Sequence, residues 1–308
     1  MKVAVTAWRF STEGLGQDLA AQGEVAEAMG FDSFWLPENH FTGPAAIPSP
    51  LMLLAAIASR TSRIRLGSTS YLLPIRNPIL AAEEVAVLDR LSGGRVILGI
   101  GRGFADAMFK TFDIPTKEKR KRFKENLSRM IDAWEGKAIA QHDDNDIFLS
   151  PLPVQRPHPP LWVAAFGPLA IKQAGSLGLP YIASPVESME SLASNISAHR
   201  EHVSEAGHDA IETVPIMRTV FITENARLEA DVRSALEKES ASQFRDQSTE
   251  LDRWAIVGDP VKVKDLLSEY QEQLGLNYLI ARGRIQGVED TDQVRSHEML
   301  MSLADSIS

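Results

Sequence analysis

Apolar runs alternate with segments of helical periodicity along the whole chain. The runs predict strands at Val3–Ala7, Ser33–Pro37, Ile64–Leu72, Val96–Ile100, Leu161–Ala165, Tyr181–Ser184, Val214–Ile222 and Tyr278–Ala281. Several are continuous rather than alternating, which is how a strand buried on both faces reads in a parallel sheet covered by helices. Between them the 3.6-residue pattern predicts helices at Gly16–Met29, Pro50–Ala58, Pro78–Leu91, Lys119–Trp134, Leu169–Leu177, Met189–Ala206, Arg227–Ser242 and Val261–Leu274, with a last helix at Asp292–Ser306. Eight βα units in succession favour an α/β fold of the closed (β/α)8 kind, a TIM barrel, over an open doubly wound sheet. The first βα turn, AWRFSTEGLG, also lacks the glycine fingerprint of a dinucleotide-binding half.

Punctuation agrees with the periodicity. Asn77-Pro78 opens a helix and Ser92-Gly93-Gly94 closes it. The polar run Gln141–Asp146 reads as an exposed loop, and the charged stretch Thr223–Asp259 as a candidate lid or insertion in one domain spanning 1–308.

Composition narrows the classes. A net charge of -9 argues against attraction to nucleic acid or anionic membranes. The absence of cysteine excludes disulfides, thiol catalysis and Cys-based metal sites. No apolar run approaches the roughly 20 residues of a bilayer span, and the opening MKVAVTAWRF has no signal-peptide core. The expectation is a soluble, cytoplasmic protein with no metal site.

Three places carry candidate chemistry. Glu38-Asn39-His40 follows a strand, where a barrel places its active site. His40 there is either a proton donor and acceptor or part of a polar cluster holding its own loop. Arg102, in Gly99-Ile100-Gly101-Arg102-Gly103, offers a guanidinium fork beside exposed backbone, which suits a phosphate or pairs with a carboxylate such as Asp106. Phe166-Gly167-Pro168 leaves bare amides at a helix start. His199 and His202 share a helix face without a metal-completing partner, and the basic run Lys117–Lys124 reads as a solvated face. No GxSxG elbow is present.

Four blocks resemble the bacterial luciferase-like flavin monooxygenases, the luciferase α-subunit branch in particular: GFDSFWLPENHF (Gly30–Phe41), the segment Arg63–Phe104, Pro160–Ser184 and IVGDPVKVKDLL (Ile256–Leu267). The resemblance implies a barrel that binds reduced flavin mononucleotide (FMN), or in sister branches a deazaflavin such as coenzyme F420. It implies that reduced flavin reacts with dioxygen to form a C4a-hydroperoxide that oxidises a small organic substrate. It also implies a homodimer and a separate flavin reductase as partner. Position by position, Arg102 falls on the family's phosphate-gripping Arg, and Phe166 to Ala170, with Gly167, on the rest of the phosphate site. Thr69 and Ser70 fall where the family often has a non-prolyl cis peptide under the flavin ring. Ala7, Trp8 and Ser184 fall on the ring pocket. Two departures stand out. The family's catalytic His of Glu-His-His is Asn39 here, so either His40 carries the proton or the reaction needs no base there. The phosphate loop's Glu, Ser and Thr are replaced by Phe166, Gly167 and Ala170. The alternatives are a deazaflavin-dependent oxidoreductase on the same barrel and a non-catalytic flavin-binding homologue.

Overall fold

A computed structural model describes residues 1–10, 14–43, 46–243 and 250–304. In chain order the elements are β1 (Lys2–Thr6), α1 (Leu15–Met29), β2 (Ser33–Leu36), α2 (Pro50–Ala58), β3 (Arg65–Ser68), β4 (Tyr71–Leu72), α3 (Pro78–Ser92), β5 (Val96–Gly101), α4 (Asp106–Thr111) and α5 (Lys119–Trp134). They continue with β6 (Ala140–His142), β7 (Asn145–Ile147), β8 (Leu161–Ala164), α6 (Pro168–Ser176), β9 (Tyr181–Ile182), α7 (Met189–Glu205), β10 (Pro215–Ile222), α8 (Ala226–Gln243), β11 (Ala255–Gly258), α9 (Pro260–Leu274), β12 (Tyr278–Arg282) and α10 (Asp290–Ala304). The fold is α/β with parallel strands, and the chain forms two compact units.

The first unit comprises Met1–Phe10, Val25–Trp35 and Val163–Ser308. Its strands run in the order β11-β10-β12-β1-β2, all parallel, with Ala4 facing Ile280 on one side and Ser33 on the other. β8 pairs with β9 in parallel, and a bridge from Ala183 to Ile216 joins the end of β9 to β10. All eight residues of β10 are buried, Arg218 and Thr219 among them. Phe221, Val232, Leu236, Leu251, Trp254 and Val257 form one apolar cluster between α8, β10 and β11. The lid candidate Thr223–Asp259 therefore contains a core-facing helix and a sheet strand, while its residues 244–249 lie outside the described ones.

The second unit comprises Ser11–Glu24 and Leu36–Trp162. Thr69 N–H donates to Leu36 O, β3 pairs with β5 through Leu66 and Val96, and Leu98 N–H donates to Pro160 O. α3 begins where Asn77 Oδ1 accepts the N–H groups of Ile79 (2.9 Å) and Leu80 (3.3 Å), and ends at Gly93 with φ +68°. Two expectations need correction here. The run Ile64–Leu72 is two strands, β3 and β4, broken at Thr69-Ser70. The Gln141–Asp146 loop is the tip of an antiparallel hairpin, β6–β7, turned by Asp143 and Asp144 at φ 48° and 60°.

Candidate active site

The second unit gathers most of the polar candidates. Glu38, just past β2, has a side chain with no exposure. Its Oε1 accepts from His40 Nε2 at 2.7 Å and from the Arg76 guanidinium at 2.8 Å, and its Oε2 accepts Leu72 N–H at 2.9 Å. A carboxylate taken out of water in this way needs both a cation and hydrogen bonds, and it has them. Beside His40 lie two aromatic rings. Phe112 stands edge-on at 5.1 Å, and Phe41, with φ +59°, lies at 5.8 Å. Phe41 and Phe112 are exposed and touch each other at 5.6 Å, so one side of the histidine carries an apolar wall. Asn39 serves its loop: its Oδ1 accepts Ile47 N–H at 2.7 Å and the Thr42 hydroxyl at 3.0 Å.

The Thr69–Ser70 peptide, where the resemblance implies a cis bond, is cis. A Cβ on Gly101 would lie 1.9 Å from Ser70 Oγ, so the end of β5 approaches Ser70 as only glycine allows.

Arg102 is half-buried and has no hydrogen-bond or ion-pair partner among the described residues. Burial, and then the charge of Arg120, push its guanidinium below the usual arginine range. No carboxylate offsets either effect, so Arg102 is not paired with Asp106. Arg120, exposed on the first turn of α5, is the residue the sequence did not reveal, because it sits in a run that reads as a solvated helix face. Two guanidiniums near each other with no counter-ion among the described residues are suited to a dianionic phosphate.

The other candidates lie in the first unit. Ala7 is buried at the end of β1, beside Trp8, whose ring meets Phe34 and His297 at 6.2 and 5.0 Å. Phe166 is exposed, and Gly167, at φ +82°, precedes α6 with no side-chain cap on the helix start. Ala170 is buried and its N–H donates to Gly167 O. Ser184 belongs to a buried network. Its N–H donates to Glu187 Oε2 at 2.6 Å, its carbonyl accepts from Arg218 at 3.0 Å, and Glu187 also accepts the Tyr181 hydroxyl at 2.7 Å. Burial pushes the Glu187 carboxyl up.

No metal-holding cluster of His, Cys, Asp or Glu occurs among the described residues, and no helix among them is long and apolar enough to cross a membrane.

Against this geometry, comparison with known proteins is specific. The F420-dependent glucose-6-phosphate dehydrogenase of Amycolatopsis mediterranei is 29% identical over 310 residues, covering 90% of this chain and 91% of that one. The alkanal monooxygenase alpha chain of the Kryptophanaron alfredi symbiont is 28% identical over 195 residues, 61% of this chain and 54% of that one. The chain spans about half the length of several curated relatives that it matches. The oxygenating constituent of 3,6-diketocamphane monooxygenase from Pseudomonas putida, solved with FMN, shares the fold at a TM-score of 0.81 and 18% identity, covering 100% of this chain and 99% of that one. The family model of the luciferase-like monooxygenases matches residues 5–277. The chain belongs to the luciferase-like monooxygenase family.

Proposed function

We propose that this chain is a flavin-dependent monooxygenase on a (β/α)8 barrel, binding reduced FMN delivered by a separate reductase and oxidising a small organic substrate. The observation that carries the reading is Arg102, half-buried, unpaired and next to Arg120. It fits the phosphate of a flavin mononucleotide better than it fits any partner in its own unit. Reduced flavin, when bound, would supply the electrons that activate dioxygen. The protein's share is to bind, orient and exclude water. Arg102 and Arg120 hold the phosphate. The resemblance adds Gly167 and Ala170 to that task, and Ala7, Thr69, Ser70 and Ser184 to the ring. His40 carries the proton. Asn39 holds the loop that presents His40, and the Phe41–Phe112 wall suits an apolar substrate.

The proposal includes a homodimer. α2 and α3 leave an apolar groove of about 420 Å³ in the second unit, with Met52 75% and Leu91 61% exposed at its rim, and a second copy would cover it.

One second reading has a specific observation behind it. The match to the F420-dependent relative runs along 90% of this chain, against 61% for the alkanal monooxygenase alpha chain. A deazaflavin-dependent oxidoreductase would use the same two arginines for the cofactor phosphate. Equilibrium titration of the purified protein with reduced FMN and with coenzyme F420 separates the two. Binding of FMN in preference to F420 supports the monooxygenase, and the reverse order replaces it.

A further inference from the structure

The environment of Glu38 does more than satisfy a buried carboxylate. Arg76 follows the short 3-10 turn Leu73–Ile75 that comes after β4, and its Nη2 reaches the same Oε1 that receives His40 Nε2. The guanidinium has further contacts besides Glu38. Its Nη1 donates to Leu72 O at 2.7 Å, and its Cζ lies 3.7 Å over the centre of the Tyr71 ring. Its own carbonyl accepts from Asn126 Nδ2 of α5 at 3.0 Å. The Tyr71 hydroxyl donates to Glu84 Oε2 at 2.7 Å, and burial pushes that phenol up, so it stays neutral.

The hydrogen bond fixes one end of the histidine. A carboxylate oxygen accepts and cannot donate, so the nitrogen bonded to Glu38, Nε2, carries a proton and the ring is oriented through it. Phe41 and Phe112, which flank the ring, bring no charge. Glu84 is one step removed, behind Tyr71.

We propose that Arg76 is a positioning residue: by sharing Glu38 Oε1 it fixes the carboxylate that holds and orients His40 through its Nε2–H. The inference rests on the reading of His40 as the proton carrier, but its test needs neither flavin nor oxygen.

The test is a two-bond proton–nitrogen NMR spectrum of the histidine rings in the flavin-free protein at pH 7.5. The chain has seven histidines, and His40→Gln identifies the signal. The wild type is expected to show His40 with a proton on Nε2. In Arg76→Met the carboxylate loses the partner that fixes Oε1, and the preference for a proton on Nε2 is expected to be lost. Arg76→Lys, which restores a donor to Oε1, is expected to restore it. An Arg76→Met spectrum identical to wild type at His40 overturns the proposal. Should that variant fail to fold, Glu38→Gln is read instead: loss of the Nε2 preference supports the proposal and an unchanged tautomer overturns it. In turnover, Arg76→Met should lower kcat roughly tenfold or more with FMN affinity intact. If the spectra behave as expected but no monooxygenase activity exists, the family reaction fails while the positioning role stands.

Discussion

Replacing Arg102 by Ala isolates the phosphate claim. Arg102 is half-buried, has no partner among the described residues, and feels the like charge of Arg120, so its removal takes away no existing bond and relieves a repulsion. The flavin-free variant should therefore unfold at the wild-type temperature or slightly above it. What disappears is at least one charge-assisted hydrogen bond to a phosphate, worth about 1.5–3 kcal/mol, or roughly 10- to 150-fold in Kd. Riboflavin has the ring system without the phosphate, so its affinity should change by no more than about twofold. The two effects can be read in one experiment, an anaerobic titration of wild type and variant with reduced FMN and reduced riboflavin. Thermal unfolding provides a second readout. At an FMN concentration about 100 times the wild-type Kd, bound ligand stabilises by about 2.7 kcal/mol, and a 100-fold weaker variant retains only about 0.4 kcal/mol. Equal loss of affinity for FMN and riboflavin would refute the phosphate role, as would a marked drop in the stability of the flavin-free variant.

Other outcomes follow from the same geometry. His40→Ala should slow turnover by about 10²–10⁴-fold while FMN affinity stays within about twofold, and an unchanged rate would return His40 to a loop-holding role. Asn39→Ala removes the acceptor of two hydrogen bonds from Ile47 and Thr42 and should cost about 1–2 kcal/mol in urea unfolding; its kcat should fall far less than that of His40→Ala, and the opposite ranking would make Asn39 the catalytic group. His297 is buried between Trp8 and Phe31, and burial drives its imidazole from the ordinary 6.5 down to about 3. The native state therefore keeps this ring neutral while the unfolded chain protonates it. Stability is full above pH 6.5 and falls as the pH drops toward 3, by about 2 kcal/mol between pH 6.5 and 5. His297→Leu should flatten that slope in pH-dependent thermal unfolding, and an equally steep slope would contradict the assignment.

Much of the architecture was legible because burial on both faces writes itself as unbroken apolar sequence. β5 is buried throughout, and α2 and α5 begin and end where periodicity and proline place them. The break at Thr69-Ser70 was not, since the small polar run Ser68-Thr69-Ser70 is short and the apolar residues on either side of it read as one strand. β11 has four residues, too few for a period to show, and α4 has six. In the site, Glu38, His40 and Arg102 stood out as polar residues just past apolar strands. Their partners did not. Arg76 is 38 positions from Glu38 and reaches it only through tertiary structure. Arg120 hides among charged neighbours whose side chains are solvated. The oxygen of Asn39 is committed to a turn, and no spacing along the chain announces that.

The central claim is that this chain binds reduced FMN and uses it against dioxygen. The most direct test mixes the anaerobic complex with oxygenated buffer and follows the flavin absorbance in time. The account predicts a transient that is neither reduced nor oxidised FMN, shortened when an oxidisable substrate is present. Tight binding followed by direct, featureless reoxidation would contradict it and leave a flavin carrier in its place.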